Sequence, residues 1–254
     1  MKISGILNTA TNLMFPPRCI LCGDNINIIS NLWRIQCVCD RCSASYKSLF
    51  AEVCPVCNKS VSSCSCGVKM GRGEISPLAK CFFYKPQKES YAGNRVIYAI
   101  KHVDDKRITK MMAKELSFSI REMMDSEGLE LPECIFTFVP RRASAIYKDG
   151  FDQGKRLAIY TARVCGKPYK AKSLIVRRGG KEQKKLDARK RQKNLSGALE
   201  LKPFAKRKIR GKTVCVVDDV VTSGATMKSA ERLLLSAGAE RVIFACIART
   251  RNEK

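Results

Sequence analysis

Acidic side chains are scarce in this sequence, which has 23 aspartates and glutamates against 48 lysines and arginines, a formal net charge of +25. A positive field of this size attracts polyanions, and nucleic acid is the usual polyanionic partner. A solvated lysine-rich surface without a dedicated partner is the alternative. The distribution favours a partner, because seventeen of the basic residues lie between Lys170 and Lys212, with three acids among them.

Long apolar runs are missing as well. No stretch approaches the roughly 20 apolar residues that a membrane-spanning helix needs, and residues 1–15 show neither a long apolar core nor a small-residue cleavage site. The sequence therefore predicts a cytoplasmic protein without a transmembrane segment. With 254 residues, 45% of them hydrophobic, the chain can form one large domain plus a small module.

The common nucleotide-binding signatures are also missing. Gly179-Gly180-Lys181 and Gly71-Arg72-Gly73 both fail the G-x-x-x-x-G-K-[ST] pattern, and no G-x-G-x-x-G follows a predicted strand. A strand that ends in two aspartates would indicate a Walker-type nucleotidase only if the chain also carried the G-x-x-x-x-G-K-[ST] motif. That class of enzyme is therefore not predicted.

Cysteine, by contrast, is abundant: nine of the fourteen lie between Cys19 and Cys66. Pairs separated by two residues let two sulfurs reach one ion at about 2.3 Å, and two pairs complete a zinc tetrahedron. Cys37 is an alternative to Cys39 in the first site. The predicted zinc ligands are Cys19, Cys22, Cys39 and Cys42 in one site and Cys54, Cys57, Cys64 and Cys66 in a second.

These sites are predicted to be structural, because no histidine or carboxylate completes an open catalytic site. Disulfides are disfavoured, since reducing compartments keep thiols free. A segment this short needs its metal to fold. We therefore predict a zinc-binding module over residues 1–70.

The rest of the chain alternates short apolar runs with helical apolar stripes, which is typical of a parallel sheet covered by helices. The methionines of the second helix are predicted to be core residues. An α/β domain is predicted over residues 78–254. Its predicted strands are 79–84, 134–139, 213–217 and 241–247, and its predicted helices are 91–101, 107–124, 154–165 and 225–237.

The segment from Val214 to Thr226 carries the most specific chemistry. Its four apolar residues predict a buried strand, and Asp218 and Asp219 follow at the carboxyl end, where open α/β sheets bind ligands. Gly224 then lets backbone amides approach an anion at the start of a helix. The two carboxylates can accept hydrogen bonds from vicinal hydroxyls, and the turn beside them forms a cradle for a phosphate. Together these features predict a ribose 5-phosphate site. A simple helix-capping turn explains the acids and hydroxyls, but not the whole string.

This string resembles the PRPP-binding motif of type I phosphoribosyltransferases, where PRPP is the phosphoribosyl pyrophosphate donor. Essentially the full chain is similar to the ComF family (ComFC and GntX-type proteins). The resemblance implies a type I phosphoribosyltransferase-like parallel sheet flanked by helices, preceded by a small zinc-ribbon-like module. It rests on strings that include Phe15-Pro16-Pro17-Arg18-Cys19, Tyr91-Ala92-Gly93, Val139-Pro140-Arg141-Arg142 and Gly150-Phe151-Asp152-Gln153.

The resemblance also implies roles by position. Asp218 and Asp219 would be catalytic and hold the ribose hydroxyls, and Mg²⁺ would arrive with the pyrophosphate. Residues 177–194 would form a mobile basic flap. Pro140, Arg141 and Arg142 would form the loop that binds the pyrophosphate, after the strand predicted over 134–139. The other implied PRPP contacts are Val220, Thr222, Ser223, Gly224, Ala225, Thr226 and Lys101. The implied DNA contacts are Arg177, Arg178, Lys184, Lys185, Arg189, Lys190 and Arg191.

Two functions are compatible with this resemblance. The favoured one is a competence protein that binds PRPP and single-stranded DNA and helps to handle internalised DNA in natural transformation, with DNA-uptake or recombination machinery as further partners. Phosphate neutralisation would supply the DNA affinity, and Trp33, Tyr46, Tyr147 and Phe151 are candidate stacking residues. The alternative is an active phosphoribosyltransferase that releases pyrophosphate, although the sequence shows no recognisable base-binding hood.

Overall fold

The computed structural model describes residues 16–26, 37–69, 75–131, 134–166, 173–177 and 199–250. None of the helices in these ranges is long and apolar enough to cross a bilayer. The strands are β1 (Val68–Lys69), β2 (Ile75–Ser76), β3 (Leu78–Tyr84), β4 (Ile135–Phe138), β5 (Ile175–Arg177), β6 (Leu199–Leu201), β7 (Thr213–Val221) and β8 (Arg241–Thr250). The α-helices are α1 (Asp40–Ser48), α2 (Ala92–His102), α3 (Lys106–Ser126), α4 (Ala143–Asp149), α5 (Gln153–Val164), α6 (Ala205–Ile209) and α7 (Ala225–Ser236).

The central sheet has four parallel strands in the order β3-β8-β7-β4. Two short antiparallel pairs, β1-β2 and β5-β6, lie outside it. The register with β4 ends at Val217, which lies opposite Phe138. Strand β7 continues beside β8 as far as Val221, opposite Arg249. The carboxyl end of β7 therefore extends beyond the end of β4.

Alternate residues of β7 enter two separate apolar cores, as expected for a pleated strand that is covered on both faces. Cys215 and Val217 pack with residues of α2, α3 and α5 and with the N-terminal cysteine segments. Val214 and Val216 pack with α6, α7 and the β5-β6 pair. The predicted fold class, a parallel sheet flanked by helices, is confirmed.

Two of the helices that cover the sheet, α3 and α5, begin at capping side chains. The Asp105 carboxylate accepts a hydrogen bond from the Arg107 amide at 2.8 Å at the start of α3, and Asp152 accepts one from the Lys155 amide at 3.0 Å at the start of α5. Such caps satisfy amides that the first helical turn leaves free. The predicted methionine core is present, since Met112 and the other buried apolar residues of α3 lie on one face.

One predicted boundary that matters for function is wrong. Asp218 and Asp219 were predicted to follow the strand, but they lie within β7, which runs to Val221. The neighbouring strand β8 continues to Thr250, and its backbone pairs with β7 beyond the apolar run. This pairing extends β7 to Val221. Apolar composition alone therefore underestimates the length of β7.

Candidate functional site

The eight cysteines predicted to bind zinc form two groups of four, and within each group all sulfur atoms lie within 4.8 Å of one another. Four sulfurs around one zinc ion would be about 3.8 Å apart, given bonds of about 2.3 Å. The Sγ atoms of Cys22 and Cys39 are 3.6 Å apart. The first group contains Cys39, and the alternative ligand Cys37 is buried outside it, where burial raises the pKa of its thiol to about 12. Both groups fit a tetrahedral thiolate site.

Both groups begin with the same tight turn. The amide of the first cysteine, Cys19 or Cys54, donates to the carbonyl five residues later at 2.7 and 2.8 Å, and the carbonyl of that cysteine accepts from Gly23 or Asn58 at 2.9 Å. Gly23 and Asn58 have φ angles of 82° and 57°, in the left-handed region that glycine and asparagine tolerate best. The turn therefore fixes the two cysteines of each pair side by side.

The second group contacts a lysine of the central sheet. Lys80 lies on β3 and is completely buried. Its Nζ donates to the Cys64 sulfur at 3.2 Å, to the Cys64 carbonyl at 2.9 Å and to the Cys66 carbonyl at 3.1 Å. A buried ammonium requires such partners. Sequence analysis missed this residue, although a lysine inside an apolar strand is an unusual pattern.

The acidic pair lies where β7 extends past β4. Asp219 is 8% exposed, and its Oδ2 accepts from Gln153 Nε2 at 3.0 Å and lies 3.9 Å from Lys101 Nζ. Asp218 Oδ1 accepts from the Asp219 amide at 2.8 Å. Burial and the neighbouring Asp219 carboxylate raise the pKa of Asp218 well above its ordinary value. The pair thus combines one anchored carboxylate with one whose ionisation is disfavoured.

Two helices position the partners of the acidic pair. Lys101 lies in the last turn of α2, at the end of the helix predicted over residues 91–101. Gln153 is the first residue of α5, and its side chain is almost fully buried against Asp219. Sequence analysis gave Gln153 no role, although the string Gly150-Phe151-Asp152-Gln153 pointed to this segment.

The loop predicted to bind pyrophosphate, Pro140–Arg142, follows β4. The Arg141 guanidinium pairs with the Asp149 carboxylate at 2.8 Å, and the Arg141 amide donates to Asp152 Oδ2 at 3.3 Å. Arg142 is exposed. The Arg141 side chain therefore contacts the end of α4, and it also donates to the Phe151 carbonyl at 3.5 Å, just before α5.

Arg177, one of the predicted DNA contacts, lies beside this loop. Its Nε donates to the Pro140 carbonyl at 3.0 Å. Burial and the nearby Arg142 lower the pKa of Arg177, and the negative charge of Asp218 acts in the opposite direction. Arg177 thus lies within electrostatic range of both the loop and the acidic pair. The apolar run Leu174 to Val176 just before it is the strand pattern that sequence analysis overlooked.

The predicted phosphate cradle lies between β7 and α7. Thr222 and Ser223 are exposed, and Ser223 Oγ accepts from the Ala225 amide at 3.4 Å. Gly224 has φ of 72°, which explains why glycine occupies this position. The neighbouring Val220 packs against the apolar core, so its side chain is structural. The hydroxyls and the start of α7 are available to an anion.

Most of the predicted DNA contacts lie outside the described residues. Among the stacking candidates, Tyr46 donates to Met112 Sδ at 3.5 Å, and Phe151 is buried beneath the Arg156 guanidinium, 4.3 Å from its ring centroid. Tyr147 is 93% exposed and presents an open ring. The predicted contacts outside the described residues are Trp33, Arg178, Lys184, Lys185, Arg189, Lys190 and Arg191.

The part of the chain that contains the acidic pair is similar to a known protein family. The phosphoribosyl transferase domain family matches residues 177–254, which include β7, the acidic pair and α7. This part of the chain is therefore similar to phosphoribosyl transferase domains. A solved structure described as the allosteric regulatory enzyme of purine biosynthesis aligns with 59% of this chain and 30% of its own, at 18% identity and a TM-score of 0.38.

Relatives cover nearly the whole chain, cysteine segments included. DNA utilization protein YhgH of Escherichia coli O157:H7 is 26% identical over 246 residues, which cover 94% of this chain and 99% of the relative. Competence protein F of Haemophilus influenzae is 26% identical over 89% of this chain and 93% of its own. Competence protein ComFC of Streptococcus pneumoniae is 24% identical over 89% and 96%. The predicted similarity to ComF-type proteins is confirmed.

Proposed function

We propose that this chain binds PRPP at the carboxyl end of β7 and single-stranded DNA on its basic surface, and that it helps to handle internalised DNA in the cytoplasm during natural transformation. The proposal of PRPP binding rests on the acidic pair, Asp218 and Asp219. This pair lies beyond the end of β4 and shortly before the Gly224 turn. The relatives named for competence and DNA utilization support the DNA half.

In the proposed PRPP complex, Asp218 and Asp219 accept hydrogen bonds from the ribose hydroxyls. The 5-phosphate binds at Thr222 to Thr226, where backbone amides at the start of α7 favour an anion. The pyrophosphate and its Mg²⁺ lie near Pro140–Arg142, because Mg²⁺ bridges phosphate oxygens. Arg177 supplies positive charge on the same side.

The proposed DNA binding predicts that the affinity for single-stranded DNA falls steeply as the salt concentration rises. Neutralising roughly six phosphates of a single strand would give a slope of about −4 in a plot of log affinity against log salt, or about a 300-fold loss between 50 and 200 mM. Filter binding of a labelled oligothymidylate across a salt series measures this slope. A neutral solute at the same osmolarity is the control. A flat response would exclude backbone neutralisation as the basis of binding.

Active phosphoribosyl transfer is the second candidate, and the intact acidic pair favours it. Two carboxylates beneath the ribose could stabilise a cationic ribosyl transition state while pyrophosphate departs. Incubation with PRPP, Mg²⁺ and a panel of nucleobases, followed by a pyrophosphate assay, tests this activity. Release that needs an acceptor and disappears in Asp218→Asn/Asp219→Asn would establish a transferase, whereas no release with any acceptor would favour binding alone.

For the cysteine groups we propose two structural zinc ions. Each group offers four sulfurs within 4.8 Å, and backbone amides donate to the Cys19 and Cys64 sulfurs at 3.3 Å. The expected zinc content of the purified protein, measured by atomic emission with exhaustive dialysis as control, is two per chain. The variant Cys22→Ser/Cys42→Ser should reduce this to one, and a content of zero in the unaltered protein would refute both sites.

A further inference from the structure

A basic segment at the other end of β7 has no role in the PRPP site. Residues 202–212 contain six lysines and arginines and no acid. Ala205 and Ile209 of α6 are fully buried in the core beneath α7, so the segment is fixed to the fold. Lys206, Arg207 and Lys208 are exposed. The segment therefore presents a cluster of cations on an anchored turn of helix.

An aromatic ring lies within this cluster. Phe204 is 44% exposed, although burial of the ring in a core would be favourable. The ammonium groups of Lys208 and Lys202 lie 4.5 and 6.0 Å from its ring centroid. These distances are typical of cation–π contacts, which hold the ring and the cations together. An exposed ring beside cationic side chains is an arrangement that can bind a stacked base and its phosphates.

The segment is separated from the acidic pair by the length of β7. It ends immediately before Thr213, the first residue of that strand, and five further residues lead to Asp218, a distance of about 16 Å along a strand. The β5-β6 pair runs between the two ends, since Arg177 lies near Pro140 and Leu201 directly precedes Lys202. A ligand on the basic segment would therefore leave the PRPP site free.

We propose that residues 202–212, here called the Phe204 platform, bind single-stranded DNA by stacking an unpaired base on Phe204 and contacting flanking phosphates with the exposed lysines and arginines. This inference rests on the proposed DNA-binding function, and it names the surface that performs it. The stacked base displaces an ammonium from the ring, and that ammonium then pairs with a phosphate. A duplex presents no free base face, so stacking makes the platform selective for single strands.

The test uses the full-length protein with an oligothymidylate and a duplex of equal length. Phe204→Ala should weaken single-strand binding about fivefold or more, since stacking on an aromatic contributes at least about 1 kcal/mol per base, and should change duplex binding less than twofold. Phe204→Leu keeps an apolar side chain without a π face and should behave like the alanine variant. Phe118→Ala removes another exposed ring, which has no proposed DNA role, and should change neither affinity.

A charge variant tests the phosphate contacts. Lys206→Gln/Arg207→Gln/Lys208→Gln should lower the salt slope for single strands by about 2, given about 0.7 per phosphate contact. The matched control removes three exposed lysines elsewhere and should change the slope by less than half as much. PRPP affinity should be unchanged in every variant. The control variant is Lys59→Gln/Lys88→Gln/Lys114→Gln.

The outcomes separate the platform from the general proposal. Unaltered protein that binds no DNA would overturn the DNA function and the platform together. Unaltered protein that binds DNA, with Phe204→Ala indistinguishable from it or equally impaired on duplex, would overturn the platform and leave the DNA function standing. A slope lowered equally by both charge variants would also overturn the platform.

Discussion

The double variant Asp218→Asn/Asp219→Asn should lose PRPP binding in calorimetry with Mg²⁺ present. Hydrogen bonds to charged acceptors contribute about 1.5–3 kcal/mol each, so the loss of two such contacts amounts to a reduction in affinity of more than about 100-fold. The fold should persist, because asparagine preserves the side-chain volume and the pKa of Asp218 is already raised by burial and by Asp219. Thermal unfolding of the same sample checks this point.

A charge-matched control is needed, because the double variant also raises the net charge by two. Asp104→Asn/Asp125→Asn makes the same change at exposed positions outside the proposed site and should leave PRPP affinity unchanged. Equal affinity of the Asp218/Asp219 variant and the unaltered protein would refute the assignment of the acidic pair. Equal losses in both double variants would instead indicate an effect of overall charge.

Lys80→Met should destabilise the protein by about 3–5 kcal/mol, the usual effect of removing one partner from a buried charge pair. Lys80 is completely buried, and it donates to the Cys64 sulfur and to the carbonyls of Cys64 and Cys66. A zinc ion held by four thiolates would have a formal charge of −2, and the ammonium would offset negative charge at the proposed site. Urea unfolding in the presence of zinc measures the change in stability.

Metal release distinguishes this role from simple packing. In Lys80→Met, a colorimetric chelator should remove one zinc per chain much faster than in the unaltered protein and remove the other at the ordinary rate. Lys88→Met, at an exposed position, should change stability by less than about 0.5 kcal/mol and leave both rates unchanged. Unaltered release from both sites in Lys80→Met would exclude a counter-ion role for Lys80.

Much of the fold was predictable because local patterns and tertiary packing agree. The apolar stripe of α3 and the runs in β4 and β8 specify elements close to those observed. The Gly224 turn was predictable too, since a positive φ strongly favours glycine. The local sequence pattern underestimated the length of β7. Its last four residues are held in the strand by pairing with β8 rather than by their own composition.

The side chains that sequence analysis missed owe their roles to distant partners. Gln153 gains its role from Asp219, which is 66 residues away in the chain, and Arg177 gains its position from Pro140. A tight turn in each cysteine pair was expected, but the residue of positive φ that closes each turn was missed. Beyond the two cysteines, the turns share only a residue that tolerates a positive φ, glycine in one and asparagine in the other.

The cysteine segments and the sheet share one apolar core, and this has a consequence for biogenesis. Cys54, Val61 and Cys64 belong to the same buried cluster as Phe82 of the edge strand β3 and Leu116 of α3. If zinc organises these segments, a newly made chain in a zinc-starved cell would leave part of that core uncovered. Uncovered sheet edges are prone to aggregate. Zinc supply would then set how much usable protein accumulates, independently of how much is translated.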